Sequence, residues 1–486
     1  MQPFQLTLSG HITPADKARN DYFYLPFDLP TPAQRLHLRY HYSDPMSSDQ
    51  VEGGNVIDIG LFDPRCAAFP GGAGFRGWSG SARQEFTITL EDATPGYLPG
   101  PLPAGRYQVI LGLYRIWPQG ATYTVEITAE LVDEPPDELP DAPPAWPTAP
   151  VAYPLQATGP ATQWLCGDLQ SHTFHSDAKG SPAQLVAKAR AAGFDFLAVT
   201  DHNTISHHIH LPALADERLI LIPSQEVTTY YGHMNVWGAR NWCDFRCKEP
   251  EALTAIIELA HRHGGVCSIN HPKEGGPAWE YGFELPVDTI EVWQGPWPYR
   301  NAESLALWDR LLCAGRRWPA VGGSDYHCPS GEDTNLLRLG QPTTWVKVRE
   351  HSVTGILDAL CAGRSCISAH PQGPRVAMRA QTGAATAGMG ETLQTDGAPV
   401  TIEVTTEVWR GQGYQLQLVA DGQTVFTTAI TATEAEIRTP VTAQHYVRAE
   451  VVGDAAPAQL PPQAPSHLDR RDWRWALSNP IYLQTA

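Results

Sequence analysis

Hydrophobic and polar residues alternate along the first part of the chain, from Phe4 to about Val132. The alternation is clearest in residues 55–61 and 123–127, and turn pairs such as Pro95-Gly96 separate the runs. A period of two is typical of strands that bury one face, and short strands joined by Gly- and Pro-containing turns are typical of antiparallel sheets. The pattern predicts an N-terminal β-sandwich over residues 1–132.

A proline-rich segment follows over residues 133–163, beginning with Glu134-Pro135-Pro136-Asp137 and continuing with frequent prolines. Proline cannot donate a hydrogen bond to a sheet and prefers extended polyproline geometry. We interpret this segment as a linker.

The pattern changes at about Trp164, where helical and strand-like runs alternate. Ser181-Pro182 predicts the start of a helix, Gly193 its end, and the apolar run over 194–200 a buried strand. Strands separated by helices indicate a mostly parallel sheet, and about seven of them within residues 164–370 predict a barrel of TIM type. Further strands are predicted at 219–222, 234–237, 266–270, 289–293, 320–323 and 344–348, and further helices at 250–263, 302–313 and 353–361.

Alternation with a period of two returns after residue 370, for example in residues 400–404 and 446–451. It predicts a C-terminal, immunoglobulin-like β-sandwich over residues 371–486, interrupted by a proline-rich loop at 457–465. The predicted fold class is therefore multi-domain, with a central α/β barrel between two β-sandwiches.

Composition and charge limit the partners of the protein. The net charge of −18 over 486 residues argues against a nucleic-acid surface or an anionic membrane as the main partner. No apolar run approaches the roughly 20 residues of a membrane span, and the first residues lack a signal-peptide pattern. Nine cysteines, an odd number without paired spacing, suit a reducing compartment. We expect a cytoplasmic protein that acts on a small molecule, with homo-oligomer formation left open.

Polar residues that can bind metals follow the predicted strands of the middle region, where a parallel barrel builds its active site. A lone histidine at such a place is most often structural, but many histidines and carboxylates at the strand ends of one barrel are costly to bury unless a cation offsets them. Imidazole and carboxylate without thiolate suit zinc, manganese or iron. In chain order these residues are Asp168, Gln170 to Thr173, Ser176, Asp177, Thr200 to His202, Glu226, His233, Asn270 to Pro272, and Gly323 to His327.

The order of these motifs resembles the PHP (polymerase and histidinol phosphatase) superfamily, within it the CehA/McbA-type metallohydrolases. The resemblance covers roughly residues 165–370 and rests on His172, Thr-Asp-His at 200–202, Glu226, His233, Asn-His-Pro at 270–272 and Gly-Ser-Asp-x-His at 323–327. It implies a distorted (β/α)7 barrel that holds two or three divalent metal ions.

The resemblance also implies three sets of ligands, of which the first two share Glu226 as a bridge. Asp201 is assigned to orienting a neighbouring imidazole. The implied first set is Gln170, His172, Glu226 and Asp325, the second is Glu226, His233 and His271, and the third is Asp177, His202 and His327. Because all of them lie between residues 170 and 327, we expect the flanking β-regions to be dispensable for chemistry.

The chain departs from the family at Gln170, where the family usually has a histidine. An amide oxygen is a weaker ligand than imidazole, so the first metal is expected to be absent, exchangeable or unusually open. His175, three residues beyond His172, is a candidate substitute ligand, with a solvent-facing role as the alternative.

No nucleophile motif such as Gly-x-Ser-x-Gly is present, so we expect a metal-activated water to attack, and hydrolysis of a phosphate ester is the leading hypothesis. Glu226 is then central to catalysis, and His202 or His327 would protonate the leaving group if the third metal is missing. Lys273 could hold a substrate phosphate or be a loop lysine, and Trp293 could wall the substrate or pack internally. The alternatives are a carbamate, ester or amide hydrolase on the same metals, and a non-catalytic binding protein.

Overall fold

The computed structural model describes residues 3–46, 53–132, 163–274, 278–330, 338–397, 399–454 and 473–485. The predicted linker from 133 and the predicted loop at 457–465 lie outside these residues. The elements of the N-terminal region, up to residue 132, are β1 (Phe4–Ile12), α1 (Pro14–Arg19), β2 (Tyr22–Leu29), β3 (Ala33–Tyr42), β4 (Val56–Phe62), β5 (Phe75–Gly80), β6 (Glu85–Thr89), β7 (Gly105–Arg115) and β8 (Ala121–Leu131).

These strands form two four-stranded antiparallel sheets, in the orders β1-β8-β3-β6 and β2-β7-β4-β5. Alternate residues of both sheets, such as Leu36 in β3, Leu61 in β4 and Val109 in β7, are fully buried in one shared cluster. The period of two in the sequence therefore places one face of each strand in a common hydrophobic core.

The middle region alternates strands and helices. The first predicted helix has the expected ends: the Ser181 hydroxyl accepts a hydrogen bond from Gln184 N at 3.2 Å, and Gly193 takes a left-handed φ of 76°. The elements are β9 (Gln163–Asp168), α2 (Pro182–Ala192), β10 (Phe196–Val199), α3 (Leu211–Leu214), β11 (Ile220–Thr229), β12 (Gly232–Trp237), α4 (Pro250–Arg262), β13 (Val266–Ile269), β14 (Thr289–Gln294), α5 (Asn301–Cys313), β15 (Ala320–Gly323), β16 (Thr343–Val348), α6 (Val353–Cys361) and β17 (Ser365–Ser368).

The pairing of these strands is only partly parallel. β9, β10 and β11 are parallel neighbours, and so are β13, β14 and β15. In contrast, β12 runs antiparallel to both β11 and β13, and β16 runs antiparallel to β9. Only Tyr230 and Tyr231 separate β11 from β12, and a two-residue turn can join only antiparallel strands. The mostly parallel sheet that the sequence predicts is therefore interrupted.

Two distant segments meet at one end of these strands. Asp325 N donates to Gln170 O at 3.0 Å, and His172 N donates to Tyr326 O at 2.9 Å. These bonds join the residues that follow β9 to those that follow β15. The candidate ligands on both segments are thereby brought together.

The sheet continues without a break beyond residue 370. β17 pairs with β26, and the order runs on as β26-β25-β22-β23, while β19-β18-β21-β24 form a separate four-stranded sheet. The protein is therefore multi-domain and rich in sheet, and no helix among the described residues has the length and apolar composition to span a membrane. The last elements are β18 (Arg375–Thr382), β19 (Ala385–Gly388), β20 (Thr392–Thr395), β21 (Val400–Trp409), β22 (Gln415–Ala420), β23 (Gln423–Ala429), β24 (Glu434–Ala443), β25 (Tyr446–Gly453), β26 (Trp473–Ser478) and β27 (Ile481–Thr485).

Candidate metal centre

The predicted ligands converge into three overlapping groups of side chains, apart from Gln170. Within each group, one ligand-type atom of every residue lies within 4.8 Å of the others. Cluster A is His172, Asp177, His202 and His327; cluster B is Glu226, His233 and His271; cluster C is His172, Glu226 and Asp325. These clusters correspond to the third, second and first ligand sets in the sequence analysis, with His172 added to the third.

Glu226 is the shared residue at the middle of the centre. Its Oε1 lies 3.3 Å from His233 Nδ1 and 3.5 Å from His271 Nε2. Its Oε2 lies 3.0 Å from His202 Nδ1 and 3.5 Å from His172 Nε2. Burial alone would raise the pKa of this carboxyl, but the surrounding imidazoles, His202 foremost, outweigh burial and hold the pKa well below its ordinary value.

Several buried polar atoms of cluster C and of the neighbouring Gln170 have no hydrogen-bond partner. They are both ring nitrogens of His172, Glu226 Oε2 and Gln170 Oε1. His172 Nε2 is 2.9 Å from Asp325 Oδ1, yet the contact lacks hydrogen-bond geometry. Unsatisfied buried groups of this kind are rare because each costs on the order of 1–3 kcal/mol. A divalent cation between nitrogen and carboxylate oxygen would satisfy them, so the donor set fits a metal.

Cluster A surrounds one carboxylate with imidazoles. Asp177 Oδ1 lies 3.3 Å from His327 Nε2 and 3.6 Å from His202 Nε2. The His172 ring stacks against the rings of both His202 and His327. Burial lowers the pKa of both outer histidines, but nearby carboxylates outweigh it and raise the pKa of His202 to about 9 and that of His327 to about 10. Without a cation, protonated imidazoles would carry the positive charge that this cluster requires.

Gln170 lies beside cluster C but does not point its amide oxygen at the residues of that cluster. Its Nε2 donates to Glu226 Oε1 at 3.1 Å and to Asp325 Oδ1 at 3.4 Å. This orientation is that of a hydrogen-bond donor to two carboxylates and differs from the weak oxygen ligand that the sequence predicts.

Asp201 and His175 lie behind the clusters. Asp201 is fully buried and accepts from Thr173 N at 2.8 Å, Thr173 Oγ1 at 2.7 Å and Ser176 Oγ at 2.7 Å. The imidazole beside it is His207, whose Nδ1 is 3.1 Å away, so Asp201 anchors the loop after β9. His175 Nδ1 lies 2.8 Å from Ser206 Oγ, and the residue belongs to none of the three clusters. It is also buried, so the solvent-facing alternative is wrong.

The two predicted substrate-binding residues are engaged elsewhere. Lys273 Nζ donates to Gln294 O at 3.2 Å, Tyr299 O at 2.5 Å and Asn301 Oδ1 at 2.9 Å. These acceptors use the three donors of an ammonium group, so the arrangement does not favour a phosphate-binding role. Trp293 is 1% exposed and its Nε1 donates to Gly295 O, which corresponds to the packing alternative.

Three further residues, of which sequence reasoning named only Asn270 as a candidate, hold the carboxylates and backbone of the site in place. Asn270 Nδ2 donates to Glu226 Oε1 at 2.8 Å, and Gln294 Nε2 donates to Asp325 Oδ2 at 2.9 Å. Glu291 Oε2 accepts from the backbone N–H of His271 at 2.7 Å. Gln294 and Glu291 lie in β14, so the rule that active-site residues lie at strand ends would have found Gln294.

Two candidate ligands have backbone geometry that L-residues rarely adopt. His271 has a φ of 26° and Asp325 a φ of 55°. Left-handed geometry of this kind costs on the order of 1–3 kcal/mol per residue and tends to occur at functional sites. The fold thus tolerates strain where these two ligands reach the clusters.

Comparison with known proteins gives limited help. No family model matches the chain, and no curated protein matches it. A two-domain protein from Bacteroides vulgatus, described as containing a predicted PHP-like metal-dependent phosphoesterase, is 16% identical with a TM-score of 0.36, covering 67% of this chain and 98% of that one.

Two further solved structures are similar over shorter stretches. A candidate metal-dependent phosphoesterase from Bifidobacterium adolescentis is 17% identical with a TM-score of 0.26, covering 36% of this chain and 90% of that one. An amidohydrolase from Chromobacterium violaceum, with bound sulfate and no metal, is 16% identical with a TM-score of 0.26, covering 34% and 88%. Likeness at these TM-scores does not establish a function for this chain.

Proposed function

We propose that this protein is a metal-dependent hydrolase of the PHP kind and that its substrates are small phosphate esters. The observation that carries the proposal is Glu226, one buried carboxylate that joins clusters B and C and lies 3.0 Å from His202 of cluster A. A carboxylate shared among sets of imidazoles is the arrangement that a bridged metal pair requires.

The clusters give each cation a set of imidazole and carboxylate ligands. Cluster B would hold one ion, cluster A a second, and cluster C a third or a weakly held ion, which gives two or three in all. Nitrogen and oxygen donors without thiolate suit zinc, manganese or iron. When bound, such ions supply an acidified water as nucleophile and positive charge to offset the anion that develops on the substrate.

The chain's own residues orient the ligands and hold protons. Asn270 and Gln294 donate N–H groups to Glu226 and Asp325 and fix the direction of these carboxylates. His327 Nδ1 lies 2.7 Å from Asp325 O and donates its proton there, and its Nε2 faces Asp177. In a form that lacks a cation in cluster A, His202 or His327 would hold the proton for the leaving group.

The rival reaction is hydrolysis of a carbamate, ester or amide on the same ions. Engagement of Lys273 with three protein acceptors favours this rival, because it removes the cation predicted to bind a phosphate. The buried position of Trp293 weakens the rival in turn, because this ring is packed inside the protein and does not line a pocket for an acyl or aryl group. We place phosphate esters first because clusters sharing ligands can bring more than one cation to the substrate oxygens.

The finer architecture is part of the same proposal. The bonds between the segments after β9 and β15 support a distorted (β/α)7 barrel, and the shared core of the first two sheets supports an N-terminal β-sandwich. We keep residues 1–132, 164–370 and 371–486 as the proposed domains, the last an immunoglobulin-like sandwich. The proposal also includes a cytoplasmic location and a small-molecule partner, with no nucleic-acid or membrane surface. It leaves open whether the protein forms a homo-oligomer.

One series of measurements tests the reaction. Metal content of the purified protein is measured first, and the same sample is then assayed with p-nitrophenyl phosphate, bis(p-nitrophenyl) phosphate, p-nitrophenyl acetate and a p-nitrophenyl carbamate. We expect at least two equivalents of metal and turnover of a phosphate ester. Turnover of the acyl substrates alone would establish the rival, and a protein without metal would contradict the proposal as a whole.

A further inference from the structure

The loop after β9, residues 171–180, carries two members of cluster A. His172 is fully buried, whereas the side chain of Asp177 is 51% exposed. Packing therefore fixes the position of the His172 side chain, whereas the position of the Asp177 carboxylate depends largely on the backbone that carries it. Whatever holds the backbone next to Asp177 also determines where its carboxylate lies.

A side chain from the N-terminal region holds that backbone. Arg83, between β5 and β6, donates from Nη1 to Ser176 O at 3.0 Å and from Nη2 to Phe174 O. The planar guanidinium is a rigid fork, so it fixes the spacing of the two carbonyls it binds. Ser176 directly precedes Asp177, and its hydroxyl donates to Asp201.

The same region touches the loop at a second place. Gly96 N donates to Ser206 Oγ at 3.0 Å, and that hydroxyl lies 2.8 Å from His175 Nδ1. A Cβ on Gly96 would lie 3.0 Å from His175 O and 2.9 Å from Trp78 O, so the backbones pack too closely for a side chain. The Pro95-Gly96 turn is therefore also a docking point for the metal-site loop.

We infer that Arg83 is a positioning residue for the metal centre, acting from outside the proposed barrel on Asp177 and so on the ion of cluster A. The inference rests on the proposed metal site. It revises the expectation that the flanking β-regions are dispensable for chemistry, because the N-terminal region contributes the clamp on the cluster A loop.

The test compares metal binding by the full-length protein and by Arg83→Ala, Arg83→Lys and Arg106→Ala. Arg106 is a matched control, since it lies in the same region but pairs with Asp28 where both side chains are more than half exposed. Equivalents and affinities are measured by chelator competition. We expect Arg83→Ala to weaken one equivalent about tenfold or more, Arg83→Lys to weaken it less, and Arg106→Ala to match the unaltered protein.

A double variant then shows whether Arg83 acts through Asp177. In a protein already carrying Asp177→Asn, adding Arg83→Ala should produce little further loss, whereas fully additive losses would overturn the inference. Unchanged affinity of every equivalent in Arg83→Ala would also overturn it, and if that variant does not fold, unchanged affinity in Arg83→Lys would do so. Absence of metal from the unaltered protein would instead contradict the proposed function.

Discussion

His172 Nε2 lies 2.9 Å from Asp325 Oδ1, and the two atoms do not share a hydrogen bond. The two residues come from segments more than 150 positions apart that are joined by backbone hydrogen bonds just after β9 and β15. A buried nitrogen and a carboxylate oxygen placed this close together would suit an ion that both bind. Four expected outcomes follow from this centre and its surroundings.

Replacing Glu226 by Gln keeps the shape of the side chain and removes the charge shared by the clusters. We expect metal content to fall by more than one equivalent and activity to fall by several orders of magnitude, because one carboxylate serves more than one ion. Elemental analysis and turnover on the same preparation measure both. A variant with full metal content and full rate would show that Glu226 is not the bridge.

Replacing Gln170 by His introduces the imidazole that is usual at this position in the PHP superfamily, which the sequence resembles. If Gln170 only weakens the ion of cluster C, the variant should bind one equivalent more tightly by about 1–3 kcal/mol. If the amide N–H groups on Glu226 and Asp325 are needed, the variant should lose activity without gaining metal. Chelator titration beside turnover separates these outcomes, and unchanged stoichiometry and affinity would rule out the weakened-site account.

Replacing Gln294 by Leu removes the N–H donor to Asp325 Oδ2. We expect metal affinity to fall by roughly 10- to 100-fold, the usual effect of losing a residue that orients a ligand. Gln415→Leu, at an exposed position of β22, is the control and should bind metal normally. Equal affinities in the two variants would mean that Asp325 does not depend on Gln294.

Replacing Asp58 by Asn tests a buried carboxyl where the N-terminal region contacts the β11–β12 turn. Burial raises the pKa of Asp58 to about 6, despite a hydrogen bond from the Tyr230 hydroxyl at 2.8 Å. In the unfolded chain this carboxyl loses its proton near pH 4, whereas in the folded protein it keeps the proton up to about pH 6. The free energy of unfolding therefore falls by up to about 3 kcal/mol as the pH rises through this interval.

The Asp58→Asn variant has no such proton to lose. We therefore expect its unfolding free energy to increase, relative to that of the unaltered protein, by up to about 3 kcal/mol between pH 4 and pH 7, so that the variant becomes relatively more stable. Urea unfolding across this range at fixed ionic strength measures the difference. A constant difference at every pH would show that Asp58 ionises normally in the folded protein.

The sequence pointed to residues that the fold brings together better than it predicted how the strands pair. Glu226, His233 and His271 were expected beyond strand ends and do converge in cluster B, but Glu226 lies within β11 and His233 at the start of β12. The antiparallel placement of β12 was missed because its apolar run has the same composition as a parallel buried strand. Direction is set by the two-residue connection at Tyr230 and Tyr231, which carries no Gly or Asn turn signal.

Arg83 was beyond sequence reasoning for a different reason. Its partners are two backbone carbonyls more than 90 positions away, and backbone carbonyls are present at every residue. Lys273 shows the reverse case. Its positive charge made it a candidate for binding a substrate phosphate, but its neighbours in the fold could not be read from the sequence. The acceptors that occupy its ammonium group come from the α5 region and the end of β14, and only the folded chain brings them near.

The pairing of β17 with β26 has a consequence for synthesis of the chain. β17 ends at Ser368, but the strand that covers its edge begins at Trp473, and Asn479 binds both Ala320 and Ser365. A ribosome therefore releases about a hundred further residues before this edge can be covered. Until then that edge of β17 lacks its partner strand, and an uncovered strand edge is a place where another chain can pair.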